Sequence, residues 1–383
     1  MNPYLLIAIA LSIALVVTAF VLPKCVRIAR RLNIVDNPSA RRLNKEPVPV
    51  LGGVAVFFGI FVSAMILSSI ENCSELFIVF SVLLMMLYTG VTDDIMDIRP
   101  FAKFCVQILA MIILMSLGGL RLDNFHGLFG IYQLPDYISI PLTLFAGVGI
   151  INAINLIDGV DGLSSGYGII ASTLCGICFL STRDMTFAIL AFAFVGALIP
   201  FFIHNVFGRK YKMFIGDGGT LVLGTAFVVF IMRILQSPGI ERFYPGIIAY
   251  LIAIFAVPVF DTLRVMTIRV VKKKSPFSPD KTHLHHLFIG LGFSHAETTL
   301  IVLTLNLSVL LMWAITGWSN VSEEIQLAIV IVMAVTVTTG IYSAVKYIRY
   351  RHPVTYARMR KVISENRLRR QGIFIHIQRL LDR

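Results

Sequence analysis

Charge is what this chain has least of. Asp, Glu, Lys and Arg make up only 14% of its 383 residues, against 57% hydrophobic, and mean hydropathy is +0.84. Soluble globular chains carry about 25% charged residues, so a water-soluble domain, or a string of them, is excluded. Cysteine is also scarce, with five in all. Cys175 and Cys178 form a lone CxxC inside an apolar run, with no second pair and no flanking histidine. That argues against a zinc or redox site and for helix filling. No basic residue precedes the first apolar run, Tyr4 to Leu22, and no small-residue cleavage site is evident after it. It reads as a retained helix and not as a cleaved signal peptide. Internal repeats and low-complexity tracts are missing too.

What is present is apolar sequence in long stretches. Eleven segments stand out, at roughly 4–23, 50–70, 76–92, 102–119, 138–157, 166–181, 185–204, 215–236, 244–268, 299–317 and 325–346. Most approach the length of about 20 residues that crosses a bilayer as helix. The expected fold is therefore an all-α polytopic membrane domain of about 11 transmembrane helices over residues 1–346. A basic cytoplasmic tail, 347–383, follows it.

The basic residues are distributed unevenly. With the N-terminus outside, 29 of the 33 lysines and arginines fall in inward connections or the tail, and only Arg121, Arg183, Arg233 and Arg242 face out. By the positive-inside rule the C-terminus is cytoplasmic. The net charge of +12 is then mostly a cytoplasmic coat that meets anionic membrane lipids. The tail, basic with interleaved apolar residues, is suited to lie on that surface. No separate domain or stacking platform accompanies the charge, so nucleic acid is not an expected partner.

The unusual polar clusters fall on the same inward side. They are "NKEPVPVLGG" (44–53), "TDDIMDIRP" (92–100), "NLIDGVDGL" (155–163), "HNVFGRKYKMFIGDGG" (204–219) and "SPFSPDKTHLHHLF" (275–288). The topology came from basic residues alone, so this agreement is independent of it. A carboxylate near lipid is costly unless hydrated, paired or bound to a cation. Asp93, Asp94 and Asp97 lie within five residues; a helix continued through them would put Asp93 and Asp97 on one face. The glycines around Asp217 allow a ligand to approach the backbone closely. With Asp158 and Asp161 they suggest oxygen donors for Mg2+, which binds through one or two carboxylates plus substrate phosphates. Phe214 is either a base-stacking ring or an ordinary packed one. His283, His285 and His286 lack the cysteine or HExxH partners of a zinc site, and suit contacts to phosphate or sugar oxygens. Lys45, Arg264, Arg269 and Lys281 add cations on this face. Carboxylates for a metal beside cations for phosphates indicate metal-assisted phosphoryl transfer.

These motifs, taken with "DTLRVMTIR" (261–269), resemble the polyprenyl-phosphate N-acetylhexosamine-1-phosphate transferases, in the family's order over about residues 40–295. The "HLHH" loop and "DTLR" resemble the branch that moves GlcNAc-1-phosphate onto undecaprenyl phosphate. The histidine motif close to HHHFE of the MurNAc-pentapeptide translocases is not found. The resemblance implies Mg2+, or Mn2+ in its place, held by Asp217 with Asp161 as second contributor. It implies a catalytic role for the acidic group Asp93, Asp94 and Asp97 and for Asp158. Asn155, with Asp158, would contact the nucleotide, Phe214 would stack on uracil, and Asn205 would be a polar contact in the same pocket. Lys45 would touch phosphate, and His283, His285, His286 and Arg264 would read the sugar and diphosphate. The spacing from Asn205 to Asp217 is longer than in the translocases, which makes Asn205 the loosest match.

The implied reaction takes UDP-GlcNAc and undecaprenyl phosphate to undecaprenyl-diphospho-GlcNAc and UMP, the initiating step of a cell-envelope polysaccharide, at the bacterial inner membrane. A homodimer is compatible with it. The lipid phosphate loses its second proton near pH ~6, by analogy with phosphoserine, so direct attack is favoured over an aspartyl-phosphate intermediate. The alternatives are a family member for UDP-GalNAc or UDP-MurNAc-pentapeptide, or a secondary transporter. Transporter sites usually lie near the bilayer midplane on broken helices, often in repeated halves, whereas these acids cluster at helix ends on one face.

Overall fold

The computed structural model describes residues 2–36, 47–68, 75–275, 282–319, 321–366 and 373–381. All eleven apolar segments are helical. In chain order they form α1 (Pro3–Arg31), α2 (Gly52–Ser68), α3 (Leu76–Met96), α4 (Pro100–Ser116), α5 (Asp136–Leu156), α6 (Leu163–Ser181), α7 (Met185–Phe207) and α8 (Gly216–Leu235). Then come α9 (Ile247–Ile254), α10 (Ala256–Val271), the short α11 (Leu284–Leu291), α12 (His295–Trp318), α13 (Glu323–Val335) and α14 (Ile341–Arg351). The tail holds α15 (Pro353–Glu365) and α16 (Ile373–Leu381). A two-residue antiparallel ladder pairs β1 (Val35–Asp36) with β2 (Val48–Pro49).

Eight helices among the described residues are long and apolar enough to cross a membrane, taking α13 and α14 as one through a π turn at Thr336–Gly340. The pair α9 and α10, bent by 72°, makes a ninth if counted as one span. The remaining two apolar segments are α2 and α4, at 17 residues each. At 1.5 Å per residue each reaches about 25 Å, short of the ~30 Å hydrocarbon layer.

The bundle is built around α8. Its sequence is apolar on every face, as a helix surrounded by others must be. Among its twenty residues only Asp217 and Arg233 are not fully buried. It is packed by α2, α3, α5 and α6. Its first turn is approached unusually closely, because glycines stand on both sides. A Cβ on Gly53 would enter the backbone of Gly219, and one on Gly90 would enter that of Asp217. Small residues are what let membrane helices touch backbone to backbone.

The break between α9 and α10 is sealed by side chains. Asn306 of α12 accepts the Val257 N–H at 3.0 Å and donates to the Ile254 carbonyl at 2.9 Å. The Tyr167 hydroxyl donates to the same carbonyl at 2.6 Å. In a bilayer the backbone groups freed by a break must be satisfied this way.

Candidate active site

The polar motifs meet at the N-terminal end of α8. Backbone hydrogen bonds between two chain segments place it there. The Phe214 N–H donates to the Pro49 carbonyl at 2.8 Å, Gly52 N–H to Phe214 O at 3.0 Å, and Gly53 N–H to Ile215 O at 2.8 Å. The "PVPVLGG" stretch is thereby zipped against the residues that lead into "GDGG". Gly216 has φ +70° and faces the Asp94 carboxylate. A side chain there would be strained by backbone and blocked by Asp94.

Asp94, near the end of α3, caps α8 across the bundle. It accepts the N–H of Asp217 at 3.0 Å and of Gly218 at 3.2 Å. These are first-turn donors that no intrahelical partner can satisfy. Asp93 lies one residue back and serves the adjoining space. Its Oδ2 is 2.6 Å from Lys103 Nζ, and its Oδ1 accepts the Ile98 N–H at 2.8 Å. Lys103 also reaches Asp217 Oδ2 at 2.5 Å. Asn155, in the last turn of α5, donates to Asp217 Oδ1 at 3.1 Å and to the Thr220 hydroxyl at 2.8 Å. Asp217 is thus held by residues from α4 and α5, with Asp93 sharing its lysine.

The helix of α3 does not run on through Asp97 as the sequence suggested. It ends at Met96, and Asp97 takes a left-handed conformation with φ 54°. Its N–H donates to the Asp93 carbonyl, and its side chain is exposed. The chain must reverse here into Pro100 at the start of α4, so Asp93 and Asp97 do not share a helical face.

Asp158 and Asp161 occupy the loop between α5 and α6, beside the α8 cluster. Asp158 Oδ1 accepts the Ser164 hydroxyl at 2.5 Å. Burial, together with the charges of Asp217 and Asp161, pushes its carboxyl up to about 7. Asp161 is buried and ion-paired. Lys212 Nζ lies 2.6 Å and His295 Nδ1 3.2 Å from its Oδ2. Burial alone would raise its pKa, but the His295 hydrogen bond and the Lys212 charge outweigh it and hold the carboxyl below its ordinary range. Asp161 Oδ1 is buried without a hydrogen-bond partner among the described residues. Asp217 and Asp93 thus share the Lys103 ammonium, while Asp161 pairs with Lys212 and His295.

Asn205 is a structural tie in this arrangement. Its Oδ1 accepts the Gly162 N–H at 2.5 Å and its Nδ2 donates to the Met213 carbonyl at 2.8 Å, both buried. Phe214 is partly buried, with Lys212 Nζ 5.9 Å from its ring centroid.

The histidine loop joins the same face. His283 Nδ1 lies 2.9 Å from Asp261 Oδ2, and Arg264 Nη2 donates to Asp261 Oδ1 at 2.6 Å and to the Thr282 carbonyl at 2.6 Å. The His283 and His285 rings are parallel at 5.8 Å, and His286 lies 4.3 Å from His285. His285 Nε2 abuts Gly159, in the Asp158–Asp161 loop, where a Cβ would collide with it. Burial, reinforced by the neighbouring His286 and His283, keeps the His285 pKa well below its usual value. Lys45 and Lys281 fall outside the described residues.

Sequence reading missed Lys103, Lys212, Asp261 and His295. In sequence both lysines read only as topology signals. Asp261 stood inside "DTLR" without a role, and His295 follows a capping Ser294 with nothing local to mark it.

Comparison with known proteins agrees with the geometry. Residues 76–235 match the family model "Glycosyl transferase family 4". The undecaprenyl-phosphate alpha-N-acetylglucosaminyl 1-phosphate transferase of Yersinia pestis is 30% identical over 294 residues, which is 76% of this chain and 79% of the relative. A probable undecaprenyl-phosphate N-acetylglucosaminyl 1-phosphate transferase of Bacillus subtilis is 30% identical over 297 residues, 77% and 81%. The corresponding enzyme of Escherichia coli K12 is 29% identical over 279 residues, 72% and 74%. With matches of this extent, and carboxylates, lysine and glycine turn gathered at one helix end, the chain is a multi-pass membrane member of glycosyl transferase family 4.

Proposed function

We propose that the protein transfers GlcNAc-1-phosphate from UDP-GlcNAc to undecaprenyl phosphate. The observation that carries this is the convergence of Asp93, Lys103 and Asp217 at the N-terminal end of α8. The names of the relatives supply the substrate pair. In the reaction a lipid phosphate oxygen forms a bond to the β-phosphorus, the bond from that phosphorus to the bridging oxygen breaks, and UMP leaves.

The residues present fit a hard divalent cation. Asp93 and Asp217 already converge on one cationic centre, the Lys103 ammonium. No group of three or more His, Cys, Asp or Glu side chains gathers as a metal site among the described residues. Mg2+ characteristically binds one or two carboxylates and completes its shell with substrate phosphates and water. Asp217 and Asp93 would hold Mg2+ or Mn2+, which when bound offsets charge on the diphosphate.

The chain's own groups do the rest. Lys103 offers an ammonium for a phosphate oxygen and offsets the charge of the two carboxylates it bridges. Asp94 holds the α8 turn so that Asp217 is aimed. A lipid phosphate that is largely dianionic at neutral pH, as a second pKa near ~6 implies, needs no strong base. Asp93 then helps to position it beside the cation. Phe214 and Asn155 face the nucleotide, and the histidine loop faces the sugar. The site opens to the cytoplasm, with the N-terminus outside and the protein in the bacterial inner membrane, because UDP-GlcNAc is soluble and its acceptor is not.

Purified protein given a panel of UDP-sugars, undecaprenyl phosphate and Mg2+ should release UMP and make a lipid diphosphate only with UDP-GlcNAc. Product from UDP-GalNAc or UDP-MurNAc-pentapeptide instead would overturn the sugar assignment. UMP released in a stoichiometric burst without lipid would overturn direct attack. EDTA should abolish turnover and Mg2+ or Mn2+ should restore it.

A further inference from the structure

Asp261 is the most heavily used carboxylate outside the α8 cluster. It lies on α10 and is 3% exposed. Its Oδ1 accepts Arg264 Nη2 at 2.6 Å and Nε at 3.2 Å, and its Oδ2 faces His283 Nδ1 at 2.9 Å. The Leu284 N–H, at the first residue of α11, lies 3.2 and 3.1 Å from its two oxygens. Arg264 continues the chain of contacts to the Thr282 carbonyl and packs over the Tyr342 ring, 3.8 Å from its centroid. One buried charge therefore fastens α10 to the far end of the loop that carries the histidines.

Among the described residues, two buried atoms of this group have no hydrogen-bond partner, Arg264 Nη1 and His283 Nε2. Buried polar atoms are seldom left so. The carboxylate also decides what each can do. A carboxylate can only accept, so His283 must carry its proton on Nδ1, and in the neutral ring Nε2 is then an acceptor. Arg264 spends Nε and Nη2 on Asp261 and Thr282, and Nη1 is left as a cationic donor. The loop reaches the rest of the site through His285, whose ring lies against Gly159 beside Asp158.

We propose that Asp261 is a positioning residue, which fixes the His283 tautomer and the Arg264 fork so that His283 Nε2 and Arg264 Nη1 meet the sugar-phosphate end of the donor. His283 Nε2 takes a hydroxyl or amide hydrogen, and Arg264 Nη1 gives one to a phosphate or carbonyl oxygen. This rests on the transferase reading above for the identity of the donor, but not for the tautomer.

The test uses the full chain in detergent or nanodiscs. Asp261→Asn should raise KM for UDP-GlcNAc by about tenfold, the lower end of what loss of a second layer of orienting groups costs elsewhere. KM for undecaprenyl phosphate should stay within about twofold, since the mechanism is local to the loop. Asp261→Glu should recover part of the loss. In wild type labelled with 15N-histidine, and assigned with His283→Gln, His283 should show the Nδ1–H form, and Asp261→Asn should shift it toward Nε2–H. Equal losses for both substrates, or no loss, would overturn the role. If Asp261→Asn does not fold, the wild-type spectrum decides alone, because an Nε2–H tautomer at His283 refutes the proposal. If wild type shows Nδ1–H yet does not use UDP-GlcNAc, the substrate assignment fails and the positioning geometry stands.

Discussion

Asp94 accepts the backbone N–H of Asp217 at 3.0 Å, so the end of one transmembrane helix caps the start of another. The contact joins residues 123 apart in sequence. It divides the work of the acidic pair. Asp94 shapes the α8 turn, while Asp93 faces the lysine and the space beside Asp217.

That division is testable by substitution. Asp94→Asn keeps an oxygen that can cap, and should leave the fold close to wild type. Asp94→Ala removes both bonds and should cost roughly 0.5–2 kcal/mol, the usual range for losing a helix N-cap. Thermal unfolding in detergent reads the difference, and turnover should follow it. Equal stability of the two variants would show that the cap is unimportant.

Lys103 separates charge balance from catalysis. Lys103→Met leaves Asp93 and Asp217 facing each other with no ammonium between them. Their repulsion should make the pair hold a divalent cation more tightly. Turnover should nonetheless fall by about 100-fold or more, as for loss of a charge contact made in the transition state. Calorimetric titration with Mg2+ and a UMP-release assay measure the two effects. Weaker Mg2+ binding in Lys103→Met would refute this arrangement.

The buried His285 should make stability depend on pH. Its folded pKa is depressed by burial, while the unfolded ring titrates near ~6.5. Below that pH the unfolded chain binds the proton and the folded one does not. Stability is therefore complete above about pH 6.5 and is lost as pH falls, by at most about 1.4 kcal/mol per pH unit. His285→Gln should flatten the melting-temperature curve between pH 5 and 7, relative to wild type. Parallel curves would mean that His285 does not titrate in this way.

Asn306 should matter to the bend far from the chemistry. Asn306→Leu strips partners from Val257 N–H and leaves Ile254 O to Tyr167 alone. An unpaired buried group costs about 1–3 kcal/mol. The variant should melt lower and exchange the Val257 amide faster, while KM values change little. An unchanged melting temperature would count against the sealing role.

The legible parts of this protein were those that depend on neighbours in sequence. Each apolar segment was marked by hydropathy, and each is helical. The polar motifs were visible because they interrupt such runs, and the glycine-flanked Asp217 stood out for the same reason. The helix end at Met96 was not legible. Whether a chain stops at Asp97 depends on where α4 must begin and on Ile98 reaching back to Asp93. The ammonium that Asp93 and Asp217 share was equally hidden, since nothing near Lys103 in the sequence marks it as their partner.

What the sequence determined by itself is the membrane environment, the helices and the set of polar residues available. Hydropathy is additive along a segment, and backbone in lipid has few ways to satisfy itself other than as helix. What only the tertiary structure decided is pairing. Asp94 with the α8 turn, Lys103 with Asp217, Lys212 and His295 with Asp161, and Asp261 with His283 each join different elements. Their partners depend on how glycines let α2 and α3 close on α8, and on how α11 sets His285 against Gly159. An ion pair or hydrogen bond acts over a few ångströms, and packing sets that distance.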